Sequence, residues 1–183
     1  LSSFQLELAN NLPVLASVVL NLSPDHLDRY NSLGHYYGVK GNIYRNCETA
    51  IINRQLQQKY PMSKSSASIS FGLDEPSFPG DFGLVDRVIC QGRTELISEK
   101  DLPIGGEHNI LNCMAALALG ESIGLQMESM LNDLRSFEGL PHRCEFVKKI
   151  NGITFYNDSK ATNISSCTAA INSFAQGQNI ILL

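Results

Sequence analysis

Val14-Leu15-Ala16-Ser17-Val18-Val19-Leu20 is a nearly unbroken apolar run, and Asn21-Leu22-Ser23-Pro24-Asp25-His26-Leu27-Asp28-Arg29-Tyr30 follows it at once. A run of this kind reads as a strand buried on both faces, the habit of parallel sheets covered by helices. That commits the chain to an α/β fold. Asn, Ser and Pro then stop the strand, so Asp25, His26 and Asp28 crowd the turn beyond its carboxyl end. In open parallel sheets ligands bind in that crevice. A histidine with two carboxylates there suits metal or phosphate chemistry; alone, His26 reads equally well as a surface turn residue.

The bulk composition narrows the class. At 183 residues the chain holds one large domain, or a domain and a piece of another. Apolar content of 43% against 17% charged residues describes a globular chain with a real core. The net charge of −4 leaves no basic footprint for nucleic acid. No run of Lys or Arg suggests an anionic membrane partner, and no apolar stretch reaches the ~18 residues that span a bilayer. With no basic segment before an apolar core at the N-terminus, the expected location is cytoplasmic. Five scattered cysteines without a C-x-x-C pair fit reduced thiols and give no zinc site. The chain opens on Leu1 and closes on Asn179-Ile180-Ile181-Leu182-Leu183, a strand-like run; both ends are expected to lie inside a longer protein.

Helices are expected over residues 2–10 and 33–45, the latter with Tyr36, Lys40 and Ile43 on one face. A buried strand is expected over 50–53. Residues 63–103 mix β-like runs (67–71, 84–91, 94–98) with turn residues and read as an antiparallel edge or excursion. Gly105-Gly106 introduces a helix over 108–123 with a wide apolar face, and Gly124 suits its C-terminal cap. A shorter helix spans about 127–136. Beyond the turn-rich 137–143, strands at 144–150 and 153–156 flank Asn151-Gly152, the strongest short hairpin signal. A polar loop, a helix with Ile164, Cys167, Ile171 and Phe174 on one stripe, and a strand over 179–183 complete the chain. A new α/β unit is expected from about residue 140.

Several polar residues stand where packing alone explains them poorly. Lys40, on an apolar helix face, must snorkel, pair or be modified, and snorkelling is the plainer answer. Glu107, His108, Asn109 and Asn112 lie at a helix opening after two glycines, either an anion site or a joint with a polar cap. Asn112 fits the cap reading least well. His142-Arg143 and Asp158-Ser159-Lys160-Ala161-Thr162 combine a guanidinium fork, a strand-end carboxylate, an ammonium and a hydroxyl. They lean toward nucleotide or carboxylate handling over a solvated linker and loop. No G-x-x-x-x-G-K-[S/T] phosphate loop occurs in the chain.

Five stretches together resemble the Mur ligase family of ATP-dependent amide-forming enzymes of peptidoglycan synthesis. They are Leu1-Ser2-Ser3-Phe4-Gln5-Leu6-Glu7, the segment from Asn21 to Tyr30, Gly106-Glu107-His108-Asn109 with Asn112, Gly139-Leu140-Pro141-His142-Arg143, and Asn157-Asp158-Ser159-Lys160-Ala161-Thr162-Asn163. They run in family order through nearly the whole chain. Asp-His-Leu-Asp and His-Asn-x-x-Asn are shared across the family; the other strings are similar to the branch that adds D-glutamate.

The resemblance implies ATP and Mg²⁺ as cofactors, with UDP-N-acetylmuramoyl-L-alanine and D-glutamate as substrates joined through an acyl phosphate by a monomeric enzyme. It places residues 1–139 in a central nucleotide-binding parallel-sheet domain and 140–183 at the start of a Rossmann-like C-terminal domain. His26 would contact Mg²⁺ and the muramoyl substrate, and Lys40, carbamylated, would offer Mg²⁺ an oxygen ligand. Asn109 and Asn112 would face adenine, Arg143 the ATP phosphates and Asp158 the ribose. Lys160 and Thr162 would hold the reacting phosphoryl group and D-glutamate. The family's phosphate loop is expected upstream and its D-glutamate grip downstream, so the 183-residue segment is expected to be inactive alone. Two rivals stay open: a family ligase for another amino acid, and a non-catalytic binding module on the same scaffold.

Overall fold

The computed structural model describes residues 1–9, 11–25, 28–59, 67–174 and 179–182, with only the backbone described at Gln58, Lys59 and Ser165. Six strands form one sheet in sequence order: β1 (Val14–Val18), β2 (Cys47–Asn53), β3 (Ala67–Phe71), β4 (Phe82–Val85), β5 (Val88–Gln91) and β6 (Thr94–Ser98). β1 to β4 run parallel; β4, β5 and β6 form an antiparallel meander at the far edge. The fold is therefore α/β; of the region read as an antiparallel edge or excursion, β4–β6 form the meander, whereas β3 is a parallel strand of the main sheet because it pairs with β2.

β2 is the strand with both faces covered. Ile51 joins the core under α4 (Glu107–Ser122), while Ala50 sits in a second cluster with Val19, Tyr44 and Cys47. Ile51, Phe71, Phe82, Ile89 and Met114 are fully buried, each side chain stabilising the fold by about 1.5–3 kcal/mol. β1 departs from expectation. It is two residues shorter, and Leu15 is 56% exposed. Among the described residues it has a single neighbour in the sheet, so its apolar composition does not translate into burial on both faces.

Other boundaries shift for local reasons. The expected strand over 84–91 is two strands, because Asp86 and Arg87 both adopt left-handed backbone (φ 48° and 65°) and turn the chain back as a two-residue hairpin. α2 (Leu33–Gly41) gives way to a tighter 3₁₀ turn at Asn42–Tyr44 before β2. β3 and β4 share the single pair Phe71↔Phe82, and Arg54, at the start of α3 (Arg54–Lys59), braces that junction. Its guanidinium donates to Ser70 Oγ and Phe82 O, both at 2.9 Å, and to Asp74 at 2.7 Å.

α1 (Ser3–Leu8) opens with a Ser2/Gln5 capping box. α4 closes as expected: Gly124 (φ 83°) donates to Glu121 O, and Leu125 to Gly120 O. α5 (Met127–Ser136) packs on α4 through Leu131. A second sheet, β7 (Glu145–Ile150) with β8 (Ile153–Asn157), is a hairpin turned by Asn151-Gly152 (φ 50° and 83°), and α6 (Ile164–Ser173) follows behind an Asn163/Ser166 capping box. No described residue from 145 to 174 is buried, so the expected stripe on α6 is not a core face; Ile164 is 87% exposed. Of the strand expected over 179–183, the described residues 179–182 form none.

Candidate active site

The exit of β1 is held by buried hydrogen bonds. Val19 N–H donates to the Tyr44 hydroxyl at 2.8 Å, which donates onward to Ile51 O at 3.0 Å. Burial pushes the Tyr44 phenol up to about 12. Asn53 Nδ2 donates to Leu20 O at 3.0 Å, while its Oδ1 caps α3 by accepting the Gln55 and Leu56 N–H groups. The chain after Leu20 is thus steered over the carboxyl ends of β1 and β2. Its far end is anchored on α1: Arg29 pairs with Glu7 at 2.6 Å, and Tyr30, 4% exposed, stacks near Phe4. The hydrogen bond from Arg29 holds the Glu7 carboxyl below its usual range.

Asp25 and Lys40 meet at Tyr36. Burial first, and then the Asp25 carboxylate, push the Tyr36 phenol up, and the Lys40 ammonium stands 5.8 Å from the centre of the same ring. Half-exposed at the end of α2, Lys40 reaches an aromatic face and so avoids the uncompensated burial that its helix position suggested. His26 lies outside the described residues. Among the described residues no three His, Cys, Asp or Glu side chains gather into a metal-ligand set.

A second group surrounds the N-terminus of α4. Gly106 begins the helix at φ 97° with no side-chain cap, so its first N–H groups stay open to an acceptor. Asn109 donates from Nδ2 to Gly105 O at 2.8 Å, pinning the Gly-Gly turn; Asn112 is exposed, which answers why it could stand in an apolar helix. A Cβ on Gly106 would lie 3.1 Å from Ser173 Cβ and 3.2 Å from the His108 ring, so the helix start abuts the end of α6. His108 is half-buried. Desolvation pulls its imidazole down, and the Asp158 carboxylate opposes that pull.

The loop before β7 completes the group. His142 (φ 64°) and Cys144 (φ 46°), both left-handed, flank the exposed Arg143. Asp158 Oδ1 accepts the Cys144 N–H at 3.1 Å, and Asp158 O accepts the Ala161 N–H at 2.9 Å. Lys160 N–H donates to His142 O at 3.2 Å. Arg143, Asp158 and Lys160 therefore come from one braced pair of loops, and Asp158 faces the start of α4 through His108. Thr162 is exposed on the same loop. Among the described residues no hydrogen bond or ion pair links Lys40 to this group. Asn157 and Glu145, which brace His142, are not among the expected site residues; the available sign was the place of Asn157 at the head of the polar string over 157–163.

Residues 2–120 match the family model for the Mur ligase middle domain. The whole chain aligns at 44% identity with 40% of the UDP-N-acetylmuramoylalanine--D-glutamate ligase of Nitrosomonas europaea, and at 41% with 43% of its namesake from Acinetobacter baylyi. The chain thus spans about two fifths of the length of these relatives. Among solved structures, a pseudomurein peptide ligase type C from Methanothermus fervidus superposes with a TM-score of 0.72 at 16% identity, over 97% of this chain and 44% of that one. MurF from Acinetobacter baumannii gives 0.67 at 22% identity, over 97% and 40%. These two establish a shared fold. No described helix is long and apolar enough to cross a membrane. With its sheet, its helix order and the family match over residues 2–120, this chain belongs to the Mur ligase family.

Proposed function

We propose that the chain is part of an ATP-dependent ligase that adds D-glutamate to UDP-N-acetylmuramoyl-L-alanine in cytoplasmic peptidoglycan synthesis. The observation that carries this reading is its identity of 41–44% over its full length to ligases of that name. In this reading residues 1–139 belong to the nucleotide-binding central domain, and 140–183 open a Rossmann-like C-terminal domain. The whole enzyme acts as a monomer.

The geometry supports nucleotide handling at the start of α4. Uncapped helix N–H groups and the nearby Arg143 and Lys160 suit an anion, while Asp158 Oδ2 is the carboxylate oxygen left to a ribose hydroxyl. Asn109 and Asn112 would border the adenine. The substrate carboxylate takes the γ-phosphoryl group of ATP, releasing ADP, and the amine of D-glutamate attacks the resulting acyl phosphate, expelling phosphate and a proton to leave the amide. Arg143 and Lys160 would offset charge on the reacting phosphoryl group, and Thr162 would help seat the amino acid.

Mg²⁺ would supply further charge neutralisation, with His26 and a carbamylated Lys40 as the protein ligands. The described residues make no such ligand set by themselves. Lacking a G-x-x-x-x-G-K-[S/T] loop, the 183-residue chain should not turn over alone. The test uses the longer protein that contains it. Phosphate release should require both UDP-N-acetylmuramoyl-L-alanine and D-glutamate, and Arg143→Ala should lower kcat by about 10²-fold. Equal turnover with other amino acids would overturn the D-glutamate assignment; no ATP-dependent ligation at all would leave a binding module.

A further inference from the structure

Two residues at the open end of the β7–β8 hairpin reach for one target. Glu145 and Asn157 face each other directly across the ladder. The Glu145 carboxylate accepts the His142 N–H at 2.8 Å, and Asn157 Nδ2 lies 2.9 Å from His142 Nδ1. The orientation of the Asn157 amide is decided by its other end, since Oδ1 accepts the Ser159 N–H at 3.1 Å. Nδ2 is then the donor, so Nδ1 of His142 must accept and the neutral ring carries its proton on Nε2. Meanwhile His142 O accepts from Lys160, in the loop that Asn157 begins.

We propose that Asn157 is a positioning residue whose side chain clamps His142 to the loop of Asp158 and Lys160, and thereby sets where Arg143 stands relative to Lys160. Among the described residues no hydrogen bond or ion pair holds the Arg143 side chain, so its placement comes from its neighbours. His142 and Cys144 both hold left-handed backbone, which side-chain-bearing residues adopt only where the surroundings impose it. For His142 those surroundings are Glu145 on its N–H, Lys160 on its carbonyl and Asn157 on its ring; for Cys144 they are Asp158 on its N–H. Asn157 alone among these touches both loops through its side chain. The catalytic consequence rests on the ligase reading above, whereas the clamp itself does not.

The test reads the ring first. In ¹⁵N spectra of the histidine rings of the 183-residue chain, with His142→Gln to assign the signal, His142 should be the Nε2–H tautomer. Asn157→Ala should release it into exchange between tautomers. Asn157→Asp keeps an acceptor for Ser159 but offers His142 no donor, so the ring should move to Nδ1 protonation while the clamp survives. In the longer ligase Asn157→Ala should lower kcat about tenfold with KM for ATP changed less than about twofold, because a displaced cation costs the reacting geometry. Asn157→Asp should recover part of that loss. An unchanged His142 ring in Asn157→Ala, or wild-type kcat in that variant, overturns the proposal. Should Asn157→Ala not fold, Asn157→Asp decides, since an Nε2–H ring there also overturns it. A responsive ring in a protein without ligase activity upholds the clamp and sinks the function proposed above.

Discussion

The β4–β5 turn of the six-stranded sheet and the turn of the β7–β8 hairpin are both made by two left-handed residues, yet the two regions are held by different forces. In the sheet, β2 is buried on alternating faces against α4 and Tyr44, and Phe71 and Phe82 have no exposed surface. In the hairpin every position of β7 is exposed, and Phe146, Ile150 and Ile153 stand 45–60% open. Turn chemistry, caps and the polar braces around His142 order that region, with ring contacts such as Tyr156 on Phe174 (4.8 Å between centroids). Good local signals therefore make an element form, but a core decides how much free energy it contributes.

The largest effect separates the two regions directly. Phe71→Ala should cost about 3–5 kcal/mol in denaturant unfolding of the 183-residue chain, and Phe146→Ala less than about 1 kcal/mol. Equal losses would mean that the hairpin unfolds as one cooperative unit with the sheet.

Tyr44→Phe tests the polar staple within the sheet. Removing the hydroxyl leaves the buried Val19 N–H unpaired and should cost about 1–3 kcal/mol. The pH dependence sharpens it. An unfolded Tyr titrates near 10, whereas the folded Tyr44 is raised to about 12. The folded state therefore keeps the proton longer, and this contribution is full below pH ~10 and lost as pH climbs toward ~12. Alkaline melts of the wild type should fall across that window more steeply than those of Tyr44→Phe.

The smallest effect belongs to the hairpin side. Asn163→Ala removes the α6 capping box, worth about 1 kcal/mol locally. Hydrogen exchange should speed up in α6 while β2 keeps its protection. Loss of protection in β2 as well would join the two regions energetically.

Much of the site could be read without coordinates because its residues are polar, punctuating and close in sequence: Gly105-Gly106 before Asn109, Asn151-Gly152 in the turn, Asp158 with Lys160 in one loop. What could not be read depends on residues distant in sequence. That Asp25 comes beside Tyr36, that His108 faces Asp158, and that Asn157 reaches back to His142 all require segments to be docked. The strand expected over 84–91 failed for a local reason: Asp86 and Arg87 are a weak turn signal in an apolar run, and the hairpin is visible only in their backbone angles.

From the sequence by itself came the α/β class, the starts of α2, α4 and α5, the hairpin at Asn151-Gly152 and the family motifs, because period, capping and turn preference are local properties of the chain; the end of α2 at Gly41 and the short α3 did not. Only the tertiary structure decided which apolar runs are buried. β1 is richer in apolar residues than β2, yet among the described residues it lies at an edge of the sheet and β2 between two neighbours, and burial depends on what packs against a strand.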